Sequence, residues 1–222
     1  MPYQKTSRQI QCLSEPVRLA FPELLEPKIP VINGRPAGDP KFSARIVINK
    51  SQTAVIQEID AVLREILSQA WPEGAGNQLH WPLVDADQQY PDDKNIAGCY
   101  VINASANQNS PPQLMKFEGA QQLPLDPQTD RGMIYSGMQV WASIGFFSYN
   151  TSAQSYGIGC GLNALLLTGV DVGRFDSRIS AKTAFANVKA PTPQIGGAVP
   201  PPPAAPQPPA NPAAPPAAPW DA

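Results

Sequence analysis

The stretch Met138-Gln-Val-Trp-Ala-Ser-Ile-Gly-Phe-Phe147 alternates between two kinds of side chain. Successive side chains of a β-strand point to opposite faces, so the stretch predicts a long strand, from about residue 133 to 149, with a bend at Gly145. One face is apolar and is predicted to belong to the core: Met138, Val140, Ala142, Ile144 and Phe146. The other mixes large rings with small polar groups and suits a surface on which flat ligands stack: Tyr135, Gln139, Trp141, Ser143 and Phe147.

Other segments show the same two-residue period. Strands are predicted at 17–21, 42–48, 99–104 and 155–167, with a weaker strand at 113–117. Residues 54–70 differ because their apolar side chains recur at helical spacing, and they predict one amphipathic helix that ends before Pro72. Parallel strands would need a helix at nearly every crossover. Short strands with a single helix therefore favour a mainly β fold, a small Greek-key barrel.

The 222 residues divide into three parts by composition. Residues 1–15 are predicted to be a flexible N-terminal segment, and residues 16–189 are long enough for one domain with a hydrophobic core. Residues 190–222 hold 13 of the 27 prolines and a single charged side chain, Asp221. Proline and alanine offer too little apolar surface to offset chain entropy, so this Pro/Ala-rich tail is predicted to be disordered, with Trp220 as an aromatic tip.

The net charge of −2 hides an uneven distribution. Residues 1–50 carry eight Lys/Arg against four Asp/Glu, residues 51–130 carry three against eleven, and residues 131–189 carry five against two. The basic segments contain most of the predicted strands, while the acidic side chains are concentrated in the helix and the loops. A basic face beside an acidic rim is therefore physically possible.

The period-two rule also places cations on the outer surface. Lys41 and Arg45 point outward because Phe42, Ala44 and Ile46 take the inner face, and Arg18 lies opposite Val17 and Leu19. Outward cations with outward rings predict binding of single-stranded nucleic acid, in which cations follow the phosphates and each stacked base contributes about 1–3 kcal/mol. The alternative for any single aromatic side chain is that the helix or a loop covers it, so this prediction rests on the whole set of outward cations and rings.

Catalytic and metal sites find little support in the sequence. His80 is the only histidine and has no nucleophile motif near it. Gly157-Ile-Gly-Cys-Gly161 lacks the last glycine of a dinucleotide loop, and a strand bend or a close barrel contact explains it better. Four aspartates match no calcium-loop spacing and predict a solvated acidic loop: Asp85, Asp87, Asp92 and Asp93. We expect no enzymatic activity, no cofactor and no metal.

The cysteines and the hydropathy indicate where in the cell the protein is found. Cys12, Cys99 and Cys160 are far apart and form no Cys-x-x-Cys pair, so they predict reduced thiols, two of them buried in strands. Residues 1–11 are polar, and no apolar run approaches the roughly 20 residues that cross a bilayer. We expect a cytoplasmic protein without membrane contact.

Several short motifs occur in a distinctive order: Val17-Arg-Leu-Ala-Phe-Pro22 with Leu25-Glu-Pro-Lys28, Pro40-Lys-Phe-Ser-Ala44, Pro82-Leu-Val-Asp-Ala-Asp87 with Tyr90-Pro91, Gly98-Cys-Tyr-Val-Ile-Asn-Ala104, Tyr135-Ser-Gly137 and Gly161-Leu-Asn163. Their order and spacing, over roughly residues 16–170, resemble a family of bacteriophage single-stranded-DNA-binding proteins. The resemblance implies an OB-fold without catalytic residues. It also implies DNA binding along the basic, aromatic-bearing face through Arg18, Lys41, Arg45 and Trp141.

These observations predict a non-enzymatic, sequence-independent single-stranded-DNA-binding protein that coats exposed strands in phage replication, recombination or repair, in the cytoplasm of the host cell. The DNA-binding residues are predicted to be Arg18, Lys41, Arg45, Tyr135, Gln139, Trp141 and Phe147. Trp220 and Asp221 are predicted to dock on replication or recombination proteins. The alternatives are a virion structural or adaptor protein with a protein-binding barrel and, more remotely, a metal-dependent nuclease that uses the aspartate loop.

Overall fold

The computed structural model describes residues 3–32, 34–76, 78–152 and 155–175. Its long strands are β2 (Val17–Lys28), β5 (Lys41–Asn49), β7 (Cys99–Asn107), β10 (Gln139–Ser152) and β11 (Ser155–Leu167). The shorter strands are β1 (Ser7–Ile10), β3 (Val31–Ile32), β4 (Arg35–Pro36), β6 (Val84–Asp85), β8 (Gln113–Glu118) and β9 (Gln121–Pro124). The helices are α1 (Thr53–Ala70) and α2 (Ala86–Gln89), with a single 3-10 turn at Arg131–Met133.

The five long strands close into a barrel. Hydrogen bonds run in the order β10, β2, β5, β7 and β11, and β11 then pairs with β10 to complete the ring. The pairs are antiparallel except β7 with β11, where Ala104 lies opposite Cys160 and Ser105 opposite Gly161. A five-stranded Greek-key barrel of this kind is an OB-like fold. The predicted mainly β class is confirmed.

The barrel core follows the predicted alternation. Met138, Val140, Ala142, Ile144 and Phe146 on β10 are all buried, as are Phe42, Ala44, Ile46 and Ile48 on β5. Helix α1 buries Val55, Ile59, Leu63, Ile66 and Ala70 in the same core, where each large apolar side chain contributes about 1.5–3 kcal/mol relative to its exposed state. The helix bounds agree with those predicted from residues 54–70.

The N-terminal segment differs from the expectation of a flexible stretch at residues 1–15. Strand β1 pairs with the part of β10 that β2 leaves uncovered, with Ser7 opposite Phe147 and Ile10 opposite Ile144. Leu13 is only 1 % exposed. The physical reason is that an unpaired edge of β10 offers free backbone groups to this segment, which also brings apolar side chains to the core. The domain therefore begins before residue 16.

Four other features of the fold were not expected. Strand β2 continues past Phe21 to Lys28, with a register shift between Ala20 and Glu23. Strand β9 pairs with β8, and β3 pairs with β4 as a small separate hairpin. The segment from β6 to Gly98 packs a second apolar cluster on the outside of the barrel: Ala20, Val47, Ala86, Ile96, Cys99 and Val101. The local sequence of that segment is polar, so only the tertiary contacts explain this packing.

The acidic loop is tied to the barrel at two of its aspartates. Lys50 Nζ lies 2.8 Å from Asp85 Oδ1 and 2.6 Å from Asp87 Oδ2. The hydrogen bond from Lys50, followed by that from the backbone N–H of Gly98, lowers the pKa of the Asp87 carboxyl group. This anchoring fixes the segment that carries Tyr90, which matters for the site described next.

Candidate nucleic-acid interface

The outer surface of β5 and β7 carries the basic and polar side chains of the barrel wall. Antiparallel register sets Lys41 opposite Asn107, Ser43 opposite Ser105, and Arg45 opposite Asn103. All six side chains are at least partly exposed, because the residues between them on both strands face the core. We call this surface the β5–β7 face: Lys41, Ser43, Arg45, Asn103, Ser105 and Asn107.

Arg45 is held between polar and aromatic partners. Its Nε donates a hydrogen bond to Asn103 Oδ1 at 3.0 Å, and its Nη2 donates one to the Tyr90 hydroxyl group at 3.1 Å. The centre of the guanidinium group lies 4.3 Å from the Tyr90 ring centre and 5.4 Å from the Phe21 ring centre. A charged group and two rings thus meet at one point of the β5–β7 face.

Phe21 reaches this point through an unusual backbone conformation. Its φ is +49°, and its side chain is 56 % exposed. A left-handed conformation is strained for a bulky residue, at a cost of order 1–3 kcal/mol. The bulge in β2 at this position turns the ring outward instead of into the core. Strain that exposes an aromatic ring is typical of a binding site.

Gly159 and Gly161 form part of the outer side of β11, and Phe147 lies over the first of them. Phe147 pairs with Gly159, and a Cβ atom at Gly159 would lie 2.7 Å from the Phe147 ring. Because β7 and β11 are parallel and Ala104 faces Cys160, Gly159 is level with Asn103. Phe147, 40 % exposed, is therefore separated from Asn103 by β11 and from Arg45 by β11 and β7. The absence of a side chain at Gly159 leaves the space that the Phe147 ring occupies.

Three predicted site residues lie together beneath the segment 168–175 instead. Arg18 Nε donates to the Gly137 carbonyl oxygen at 2.8 Å and Nη2 donates to that of Gly173 at 2.6 Å, while the guanidinium group lies 4.1 Å from the Phe175 ring centre. Burial lowers the pKa of Arg18. Neighbouring contacts join Arg174 to the Tyr135 ring and the Thr168 hydroxyl group to Gln139. Arg18, Tyr135 and Gln139 therefore already have interaction partners within the chain.

Trp141 lies in a separate groove of about 560 Å³. Its floor is the outer side of β10 and β11, and its walls are β8, β9 and the turn after β1. The register separates this groove from Arg45. Gln139, Arg18 and Val47 lie side by side on the adjacent strands β10, β2 and β5. Trp141 lies two residues from Gln139 in one direction along the strands, and Arg45 lies two residues from Val47 in the opposite direction. The two residues are thus two strands and roughly 13 Å of strand length apart.

The structure therefore divides the predicted site residues. Lys41 and Arg45 share the β5–β7 face, and Arg18 lies beside that face on the neighbouring strand β2. The segment 168–175 contacts Arg18, Tyr135 and Gln139. Phe147 lies on β10, beyond β11, and Trp141 lies in its own groove. Trp220 and Asp221 lie outside the described residues.

Sequence reasoning missed Phe21, Tyr90 and Asn103. Asn103 could have been found, because it shares the outward phase of β7 that the alternation of residues 99–104 defines. The Phe21-Pro22 step hinted at a strand irregularity, since proline restricts the preceding residue. Tyr90 gives no such signal, because its place depends on how the segment after α1 folds back on the barrel.

Three comparisons place the chain among known proteins. The model of the family described as the Enterobacter phage Enc34 ssDNA-binding protein matches residues 10–194. This chain belongs to that family. A curated relative, protein p50 of Acyrthosiphon pisum secondary endosymbiont phage 1, is 31 % identical over 147 residues, covering 62 % of this chain and 73 % of p50.

Solved structures of the Enc34 protein share the fold. The complex of that protein with ssDNA has a TM-score of 0.59 and 23 % identity, covering 77 % of this chain and 89 % of the Enc34 chain. A C-terminally truncated form has a TM-score of 0.55 and 22 % identity, covering 78 % and 87 %. In the part of this chain that the structure describes, no helix is long and apolar enough to span a membrane.

Proposed function

We propose that this member of the Enc34 family binds single-stranded DNA through the β5–β7 face and coats exposed strands during phage DNA replication. Family membership supports the ligand class and the phage setting. The choice of surface is our own inference, and it rests on one observation above all. The guanidinium group of Arg45 lies within 5.4 Å of the centres of two aromatic rings, on a wall that also presents Lys41.

The geometry suits a ligand with alternating charge and flat rings. Lys41 and Arg45 offer positive charge to phosphates, and Phe21, Tyr90 and Phe147 offer rings to bases. Asn103, Ser105 and Asn107 supply hydrogen bonds between them. In OB-folds the face of the second and third barrel strands, with the loop between the first two, binds oligonucleotides. In this chain those strands are β5 and β7, and the loop contains the β3–β4 hairpin with the exposed Arg35.

The binding mode is proposed to be tolerant of sequence. Every base has a flat face that can stack on an aromatic ring, and phosphates are the same at each nucleotide. Two cations and the rings of Phe21 and Tyr90 on one wall, with Phe147 farther round the barrel, therefore favour tracking of the strand over reading of its bases. We propose binding without catalysis, in the cytoplasm of the infected cell, with recombination and repair as further processes that expose the same ligand.

Arg18 takes a different role in this proposal. Its guanidinium group already donates to the carbonyl oxygens of Gly137 and Gly173. An arginine engaged in this way positions the segment 168–175 and has fewer donors left for phosphates. Direct DNA contacts of Arg18, Tyr135, Gln139 and Trp141 stay predictions, secondary to those of the β5–β7 face.

A fluorescence anisotropy titration tests the function. The full chain is added to a labelled oligo(dT) of about 30 nucleotides and to a duplex of the same length. We expect the single strand to bind more tightly, and its affinity to fall by about tenfold or more between roughly 50 and 200 mM salt. Absence of binding at the lower salt concentration would contradict the proposal and favour the virion adaptor, which needs no affinity for nucleic acid.

A further inference from the structure

The groove at Trp141 differs chemically from the β5–β7 face. Trp141 and Leu166 line it from β10 and β11, Met115 and Phe117 line it from β8, and Gln11 and Gln122 add two amides to the lining. No lysine, arginine, aspartate or glutamate is found among the described residues that line it. Its volume of about 560 Å³ lies within the range of specific ligand sites, about 300–1,000 Å³. The groove offers no cation to a DNA backbone, so an apolar and nearly uncharged occupant is better matched to it.

The polar groups of the groove suit an extended peptide. Among the described residues, none accepts a hydrogen bond from Trp141 Nε1–H. The amides of Gln11 and Gln122, which also line the groove, add further donors. An extended polyproline II segment has no internal hydrogen bonds, so its carbonyl oxygens need donors of this kind. Grooves lined by aromatic rings bind proline-rich segments in this way.

A segment with matching chemistry is present in the sequence itself. Residues 200–222 are proline and alanine for the most part, with Trp220 near the end and Asp221 as the one charged side chain. Proline fixes its own φ near −65°, so such a segment loses little entropy when it binds in an extended form. An uncharged groove and a nearly uncharged segment are complementary in charge and in apolar character.

We propose that the Trp141 groove binds the proline-rich residues 200–222 of a second copy of this chain. Each molecule then offers one groove and one segment, which is a head-to-tail arrangement that can link many copies in a row. The 24 residues between Phe175 and Pro200 would span up to about 75 Å when extended, so a neighbour on the same strand of DNA is within reach. The contact is separate from the β5–β7 face, so either property stands without the other.

Chemical cross-linking of two full-length chains tests this contact. Cys12 is exposed and lines the groove, whereas Cys99 and Cys160 are buried. One chain carries Cys12→Ser with Ala217→Cys, and the other keeps Cys12 and bears a tag that changes its size. A short bismaleimide joins thiols that lie close together. We expect the product of one tagged and one untagged chain on a denaturing gel, without any DNA present.

Matched variants of the tagged chain decide the result. A tagged chain with Cys12→Ser and Gln57→Cys has its exposed thiol on α1, outside the groove. It is expected to give at least about fivefold less of the cross-linked product than the tagged chain that keeps Cys12. Trp141→Ala and, on the exposed wall, Phe117→Ser should each lower the yield severalfold. Equal yields from the groove and α1 thiols, or yields unaffected by both groove variants, would overturn the proposal. An Ala217→Cys chain that retains Cys12 and links only to itself would overturn it too, since the segment would then occupy its own groove.

Discussion

The guanidinium group of Arg45 lies 4.3 Å from the ring centre of Tyr90 and donates a hydrogen bond to the hydroxyl group of the same residue. A second hydrogen bond, to Asn103, fixes the other side of the group. Long side chains usually lose about 0.5–1.5 kcal/mol of conformational freedom when a ligand immobilises them. Our proposal places DNA at the β5–β7 face, where these contacts already hold Arg45, so less of that cost remains on binding.

The Phe21→Gly variant should weaken DNA binding without lowering the free energy of unfolding. Glycine relieves the strain of φ +49°, of order 1–3 kcal/mol, at an entropic cost of about 0.5–1 kcal/mol, so the free energy of unfolding should stay equal or rise. Phe21→Ala keeps the strain and should be less stable than Phe21→Gly by about 1 kcal/mol. Both variants should bind oligo(dT) about fivefold or more weakly, because one stacking ring is lost. Urea denaturation and anisotropy measure the two effects, and a Phe21→Gly protein less stable than Phe21→Ala would contradict the strain.

A pair of glycine variants on one strand tests the role of Phe147. A Cβ atom at Gly159 would come within 2.7 Å of the Phe147 ring, whereas one at Gly161 meets nothing nearer than 3.5 Å. Gly159→Ala should displace the ring and weaken oligo(dT) binding about as much as Phe147→Ala does, by roughly fivefold. Gly161→Ala is the matched control and should bind more nearly like the unmodified chain. Equal binding by the Gly159→Ala and Gly161→Ala proteins would remove Phe147 from the interface.

The stability of the fold should depend on pH through the ionisation of the Asp130 carboxyl group. Its Oδ1 accepts a hydrogen bond from Lys116 Nζ at 2.8 Å and its Oδ2 accepts one from the backbone N–H of Asp126 at 2.9 Å. These bonds, that from Lys116 first, hold the pKa of the Asp130 carboxyl group below its ordinary value. A lowered folded-state pKa means that the stabilisation is fully present above the unfolded pKa, about 3.9, and is lost as the pH falls through the folded value.

Asp130→Asn is the variant that checks this dependence. Its free energy of unfolding should lie below that of the unmodified chain at neutral pH, and the difference should shrink below about pH 4. Asp60→Asn, which affects an exposed pair with Arg64 on α1, serves as the control and should change little. Urea denaturation across the pH range gives both curves. A difference that persists unchanged at pH 2 would mean that the carboxylate charge of Asp130 is not what stabilises the fold.

The sequence could predict which side chains of each strand face inward, because that property has a period of two residues and is local. The core of β10 and β5 and the burial of α1 follow from it. β1 could not be predicted in this way, since its pairing depends on an edge of β10 that exists only in the folded barrel.

The candidate site was predicted only in part for the same physical reason. Alternation shows that Arg45 and Trp141 both face outward, but not that they lie on different parts of the barrel, which depends on the register of two intervening strand pairs. The fate of Arg18 depends on carbonyl oxygens of Gly137 and Gly173, which are distant in sequence. Tyr90 reaches Arg45 because the acidic segment folds back on the barrel, where Lys50 pairs with Asp85 and Asp87 and the segment's apolar side chains are buried.

Salt-dependent binding by Arg45→Gln tests the central claim most directly. Arg64→Gln, on the exposed side of α1, removes the same charge away from the β5–β7 face and is the matched control. Anisotropy titrations of oligo(dT) over a range of salt concentrations should show a loss of about tenfold or more for Arg45→Gln, with the slope of log K against log salt reduced by about 0.7, the value for one phosphate of a single strand. Arg64→Gln should match the unmodified chain in both quantities. Equal affinities and slopes for the two variants would contradict DNA binding at the β5–β7 face.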